Sequence, residues 1–280
     1  KNRSAAEEHL WYDSVRGASK RIQSSTNNVE ATDSDGLTSF DSDGFSIGAK
    51  GSLNASSKNI CAWCWKESTT AGLDIIAYVG QGISTAFDVS HNLSAVPDWI
   101  MIKNRSVDQA WRVYSKSMGF SNRLVLSESG GKSTSALGLD ADPTSSVINI
   151  GTGTGCTNAS GENFICYAFK NVQGFSKFGS YIGNGDADGV FVFLGFKPAF
   201  ILTKKSSGSS SWIMHDNKRD TFNVVNKFLD AYDPGAEGSL DSFDFLSNGF
   251  KLRTSNGDRN ASGDTYQFMA FAESPFVNSN

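Results

Sequence analysis

Ile60-Cys61-Ala62-Trp63-Cys64-Trp65 is apolar on both faces that a strand would present. Successive side chains on a strand point to opposite sides, so Ile60, Ala62 and Cys64 would face one way and Cys61, Trp63 and Trp65 the other. A strand with two apolar faces is covered on both, as in the centre of a packed sandwich. Similar runs return as Phe164-Ile165-Cys166-Tyr167-Ala168-Phe169 and Tyr266-Gln267-Phe268-Met269-Ala270-Phe271. The sequence therefore predicts the same central strand three times.

Working outward, each run follows an Asn-Ala-Ser triplet, at Asn54, Asn158 and Asn260, spaced by 104 and 102 residues. Gly72 and Gly174, Pro97 and Pro198, Lys1 and Lys103, and Trp111 and Trp212 keep a step of 101 or 102. A period of about 102 residues is far longer than a solenoid unit and matches a small domain. The expected organisation is a partial first module over 1–71, a second over 72–173 and a third over 174–280. Lys1-Asn2-Arg3-Ser4 matches Lys103-Asn104-Arg105-Ser106, so the first module lacks a counterpart of residues 72–102. From this register the chain is expected to be the C-terminal portion of a longer polypeptide.

Within each module the pattern is all-β. Asp43-Gly44 and Asn248-Gly249 lead into the alternating runs Phe45-Ser46-Ile47 and Phe250-Lys251-Leu252, as in hairpins, and Val147-Ile148-Asn149-Ile150 keeps the alternation. Residues 99–102 and 200–202 read as buried strands. Helical readings are limited to a turn at 5–10 and a short helix at 221–230. Short strands at this spacing fit tandem β-sandwich modules of jelly-roll or lectin-like type.

Composition sets the outer bounds. With 39% hydrophobic residues, 20 Phe, 6 Trp and 7 Tyr in 280 residues, the chain can fill several cores. Its net charge of −4 comes from 25 basic and 29 acidic residues without blocks, which argues against a nucleic-acid partner. No apolar stretch is long enough to insert in a membrane as a helix.

The local motifs read as structure. Asn-Ala-Ser is formally a glycosylation sequon, but its place before a core strand suits a turn, where Asn tolerates left-handed backbone. Cys61-Ala62-Trp63-Cys64 matches C-x-x-C, yet residues three apart on a strand face opposite ways. Cys64 stands where Ala168 and Ala270 stand, and Cys166 where Ala62 and Phe268 stand, as inert buried positions allow. Asp33-Ser34-Asp35-Gly36, Asp41-Ser42-Asp43-Gly44 and Asp186-Ala187-Asp188-Gly189 lack the ligand spacing of a calcium loop and read as turns. Gly151-Thr152-Gly153-Thr154-Gly155 lacks the Lys-Ser/Thr ending of a phosphate loop.

Nothing local nominates a catalyst. His9, His91 and His215 fall at unrelated module positions, no Gly-x-Ser-x-Gly elbow occurs, and the carboxylates scatter over turns. The expectation is a protein that is not an enzyme, with no catalytic residues, cofactor or metal. Aromatic residues on loops remain as candidates for surface recognition: Tyr12, Tyr114, Phe222 and Tyr232. Trp11, Trp111 and Trp212 share one module position and read as core. The loops 123–142 and 222–241 vary most between modules and are the expected binding surface.

Four stretches carry a resemblance. Tyr266-Gln267-Phe268-Met269-Ala270-Phe271-Ala272-Glu273-Ser274-Pro275-Phe276, residues 174–185, residues 244–253 and Trp11-Tyr12-Asp13-Ser14-Val15-Arg16-Gly17 resemble phrases of large repeat proteins of marine and cyanobacterial tailed phages, which carry a domain of unknown function. The resemblance covers nearly the whole chain and implies a virion-surface structural protein. Its first form would be a tail fibre or receptor-binding appendage, trimeric if a fibre, contacting other virion proteins and a host-surface glycan or protein. The alternatives are a capsid decoration or capsid fibre without receptor role, and a glycan-cleaving enzyme on a lectin-like sandwich. The family carries no established catalytic residues to these positions.

Overall fold

The computed structural model describes residues 1–134, 138–152 and 155–274. The first stretch contains Leu10–Trp11 (β1), Lys20–Gln23 (β2), Ala31–Thr32 (β3), Leu37–Phe40 (β4), Phe45–Ile47 (β5) and a single-turn helix, Gly51–Asn54 (α1). The second contains Leu73–Val79 (β6), Phe87–Ser90 (β7), Trp99–Asn104 (β8), Arg112–Ser115 (β9), Asn122–Arg123 (β10), Ser133–Thr134 (β11), Val147–Ile150 (β12), Gly155–Asn158 (α2) and Asn163–Phe169 (β13). The third contains Ser176–Ile182 (β14), Phe191–Phe193 (β15), Pro198–Lys205 (β16), Trp212–Asp216 (β17), Val225–Asp230 (β18), Gly238–Leu246 (β19), Gly249–Leu252 (β20), Gly257–Asn260 (α3) and Thr265–Ala272 (β21). The protein is all-β, in several sheets.

β13 lies between β6 and β8, antiparallel to both, and β21 lies between β14 and β16 in the same way. Their alternation divides the core as the pattern demands. Ile165, Tyr167 and Phe169 join a cluster shared by all three stretches, which also holds Ile22, Trp99, Trp111, Trp212, Met269 and Phe271. Phe164, Cys166 and Ala168 face a separate cluster with Ile100, Ile102, Ile148 and Ile150, between the sheet β6-β13-β8-β9 and the pair β12-β7. Phe268 and Ala270 face a third cluster with Val192, Phe243, Phe250 and Leu252. Around it the eight-stranded sheet β14-β21-β16-β17-β18-β19-β20-β15 curls into a near-barrel. Lys177 of β14 reaches across its gap and donates to the Phe193 carbonyl of β15 at 2.8 Å.

The third expected central strand does not form. Lys1 and Cys61 exchange backbone hydrogen bonds of 2.9 Å in each direction, and Asn2 bridges Ile60. Beyond Cys61 the ladder stops, and residues 62–66 make no backbone hydrogen bond to another described residue. A strand needs a neighbour to satisfy its amides, and apolar pattern alone does not supply one. The helix expected at 221–230 is also corrected. Val225–Asp230 is a strand paired to β17 and β19, with Val225 and Leu229 buried. Residues 5–10 form no helix.

Asn54, Asn158 and Asn260 each end one of the single-turn helices. The left-handed backbone lies three residues later, at Ser57, Gly161 and Gly263, and not on the asparagines. Asn158 and Asn260 are fully buried and use their amides as staples. Asn158 accepts from the Gln81 amide at 2.8 Å and donates to Thr85 and Gly151 carbonyls at 2.7 and 3.0 Å. A glycan at either asparagine is incompatible with this packing.

One set of contacts joins the first stretch to the second, the second to the third, and the third back to the first. The backbone amides of Glu30, Lys132 and Glu237 donate to the carbonyls of Arg105, Ser206 and Arg3 at 3.2, 2.8 and 3.0 Å. Those of Gln109, Ser210 and Glu7 donate to Asn27, Ser129 and Pro234 at 2.9, 2.9 and 2.8 Å. Three buried lysines cap the same carbonyls: Lys103 on Asn27 at 3.0 Å, Lys204 on Ser129 at 2.7 Å, and Lys1 on Pro234 at 2.7 Å. Two of the shared-core indoles add a bond each, Trp111 to the Gln23 carbonyl at 2.7 Å and Trp212 to that of Val125 at 2.9 Å. The chain closes on itself as a ring.

Candidate functional site

An apolar groove of about 980 Å³ opens where the first and third stretches meet. One wall is residues 60–66, and Trp65 packs edge-on to Phe200 and tilted against Phe271, both at 5.6 Å between ring centres. The polar end is built by Arg219, whose guanidinium sits 5.6 Å over the Trp63 ring. Arg219 binds Asp216 at 2.6 Å and Glu237 at 3.2 Å, and Arg3 binds Glu237 at 2.7 Å. The Trp63 indole donates to Asp216 at 3.0 Å. Burial works against the Asp216 charge, but Arg219 and these hydrogen bonds hold its carboxyl below the usual range. Glu237 is likewise kept low by Arg3 and Arg219 against its burial.

This polar end has a counterpart that is not in a groove. Arg16 binds Asp13 at 2.5 Å and Glu30 at 3.4 Å, and the Tyr167 hydroxyl donates to Asp13 at 2.6 Å. The aromatic, carboxylate and arginine thus recur inside the packed part of the molecule, as a joint between stretches. In the groove, Asp216 and Glu237, held low by their arginines, accept hydrogen bonds and are poor proton donors. Asp230, pushed up to about 6 chiefly by burial, sits on β18 with Arg259 as its charge neighbour, not in the groove.

A smaller cleft of about 210 Å³ adjoins the groove through Asn217 and is lined by Asp220, Phe222, Asn223 and Phe245. Phe222 is 84% exposed. Its loop is pinned on both sides: the Asp220 carboxylate accepts the Asn226 amide at 2.7 Å, and the Asn223 side chain exchanges bonds of 2.8 and 3.1 Å with Phe245. The ring is displayed on a fixed support.

The other aromatic candidates lie elsewhere. Tyr114, expected on the surface, is 1% exposed inside the second stretch's own cluster, because β9 presents it inward. Tyr12 is half-buried with its hydroxyl 3.3 Å from Asp33, and Tyr232 packs against the shared core. Of the four, Phe222 alone is fully presented. Trp111 and Trp212 are buried, and Trp11 is half-buried against Trp111 at 5.2 Å. The loop 123–142 lies partly outside the described residues, as do Gly153 and Thr154 of the glycine-rich stretch.

Sequence reasoning placed Trp63 and Trp65 in a covered strand and so missed the groove. It used Lys1 and Lys103 as register marks without seeing that they bind carbonyls at the junctions. Cys64 is exposed and Cys61 packs inward, so the two thiols diverge. The acidic turns bind protein groups: Asp33 pairs with Arg21 and Lys50, and Asp188 with Lys251 and Arg253. Among the described residues no cluster of three or more His, Cys, Asp or Glu could hold a metal, and no helix is long and apolar enough to cross a membrane.

The family model described as a domain of unknown function, DUF7483, matches residues 1–275. The chain belongs to the DUF7483 family. No curated protein and no solved structure matches it. For this DUF7483 chain the match spans all three stretches, so the ring junctions, the groove and the Phe222 cleft fall inside the family's domain.

Proposed function

We propose that this DUF7483 chain is a structural component of a phage virion surface, a tail-fibre or receptor-binding appendage and not an enzyme. In this reading residues 1–71, 72–173 and 174–280 are copies of one β-sandwich module of jelly-roll or lectin-like type, repeated about every 102 residues and arranged around a pseudo-threefold axis. The carrying observation is the ring closure: the same amide, lysine and carbonyl contacts occur at three junctions, and the polar groups of the groove serve the junction of the first and third stretches. Such an arrangement resists deformation and displays loops on a fixed frame, as an appendage requires. Phe222 on its pinned loop is the contact offered to a host glycan or protein. Other virion proteins anchor the chain, as a homotrimer if it forms a fibre.

The test is adsorption. The isolated chain should bind host cells and compete with phage attachment, and Phe222→Ala should weaken both while leaving the fold intact. Electron cryomicroscopy of the particle then separates the alternatives. Tail density in multiples of three supports the appendage, whereas density over the capsid lattice with no competition replaces it by a capsid decoration. Release of soluble sugar from host envelope would return the enzyme reading.

A further inference from the structure

The first stretch presents three unpaired strand edges that the other two stretches have filled. In the second, β13 has β6 on one edge and β8 on the other, and β12 pairs with β7. In the third, β21 has β14 and β16, and β20 pairs with β15. In the first, among the described residues, 62–66 have neither neighbour and β5 has only β4.

Burial follows the pairing. Ile148 and Ile150 on β12, and Phe250 and Leu252 on β20, are 0% exposed, while Phe45 and Ile47 on β5 are 39% and 37% exposed. Trp65 is 36% exposed where Phe169 and Phe271 are 5% and 6%. Cys64 is exposed where Ala168 and Ala270 are fully buried. The second and third stretches each have a cluster of their own behind the central strand, and the first has none among the described residues. The groove of about 980 Å³ runs along residues 60–66 and does not reach β5.

We propose that this open face is a strand-acceptor site whose occupant is a polypeptide segment with the strand pattern of residues 72–102, entering at the Lys1 end. Its counterpart of β8 would run along 62–66 on one edge, that of β6 along the other, and that of β7 along β5. Main-chain hydrogen bonds would hold it, and alternate apolar side chains would fill the missing cluster. The ladder has already begun: Lys1 and Cys61 exchange their two backbone bonds as Lys103 does with Ile165 in β8–β13. In that register the donor's counterpart of Ile102 would lie against Ala62, as Ile102 lies against Cys166. The assignment does not depend on any virion role.

The experiment compares the 280-residue chain with a fusion that places a copy of residues 72–102 directly before Lys1. A control fusion carries aspartate at the donor's counterparts of Ile100 and Ile102. Hydrogen exchange is read at 45–47 and 62–66, thiol labelling at Cys64, and protection of β13 and β21 reports that the rest is folded. The donor should slow exchange at both open edges and Cys64 labelling by at least about tenfold, and the control should not. The same peptide added in trans to the unfused chain gives a second reading if the fusion folds poorly. Unchanged exchange and labelling in both formats, with β13 and β21 protected, overturns the proposal. So does protection of Cys64 in the chain alone that grows with its concentration, which would assign the face to a second copy.

Discussion

Two of the three junctions carry an arginine–glutamate pair, Arg105 with Glu30 at 2.8 Å and Arg3 with Glu237 at 2.7 Å. At the third, Ser206 and Lys132 occupy the corresponding places, yet the Lys132 amide still donates to the Ser206 carbonyl at 2.8 Å. The junction therefore holds without the ion pair. What all three share is main chain, a capping lysine and the common core. The charged pairs are partly exposed, and such pairs contribute about 1 kcal/mol or less.

The largest loss is expected at the core. Trp212→Ala should cost about 3–5 kcal/mol, since it empties a fully buried site and removes the indole bond to Val125. Chemical denaturation with a fixed slope checks this, and a cost below about 1 kcal/mol would refute the shared core as the main support.

The closing junction has a feature the others lack. His9, inserted between Glu7 and Trp11, is buried beside Lys1, and burial first and Lys1 second push its imidazole down to about 3. The unfolded chain takes up this proton as pH falls through 6.5, the folded chain only near 3, so stability is lost across that window. Hydrogen exchange at pH 5 and 7 should show Glu7 and Ser24 amides losing protection before Gln109 and Ser210. His9→Gln should flatten the difference.

Lys103→Met should cost about 2 kcal/mol by removing the ammonium donor from the Asn104 and Gln109 carbonyls and leaving the Asn27 carbonyl with the Gln109 amide alone among the described residues. Burial pushes the Lys103 ammonium down to about 8, against 10.5 when unfolded. Between those values the unfolded chain holds more protons, so native stability rises with pH, and the variant should lose part of that slope. Melting curves at pH 7.5 and 10 measure both effects.

The smallest effects come from the pair itself. Arg105→Ala should cost less than about 1 kcal/mol, and Ser206→Arg with Lys132→Glu should add about 0.5 kcal/mol to the bare junction. Both should shrink in high salt.

The sequence made the central strands at 163–169 and 265–272 legible, because two apolar faces require two covers, and Trp111 and Trp212 were legible as core through their shared position. The same pattern misled at 60–65, where the side chains qualify but no neighbouring backbone runs alongside. Tyr114 was misread as a loop aromatic, because the cluster that buries it comes largely from β7, β12 and β13, distant in sequence. The lysine caps were illegible for another reason. Their acceptors are main-chain carbonyls of another stretch, which no side-chain pattern records. Phe222 was readable as an exposed aromatic, but the cleft beside it depends on Asn223 reaching Phe245.

Ring closure bears on how the molecule comes apart. A linear array of modules can unzip from a terminal unit, each step losing one interface. Here Lys1 is tied to Pro234 and Arg3 to Glu237, across more than two hundred residues of chain. Releasing any one stretch must break two junctions together, and closing the last junction brings distant segments into register at an entropic cost already met in the native state. Among the described residues, a protease or a pulling force thus meets no stretch of the ring held by one junction alone.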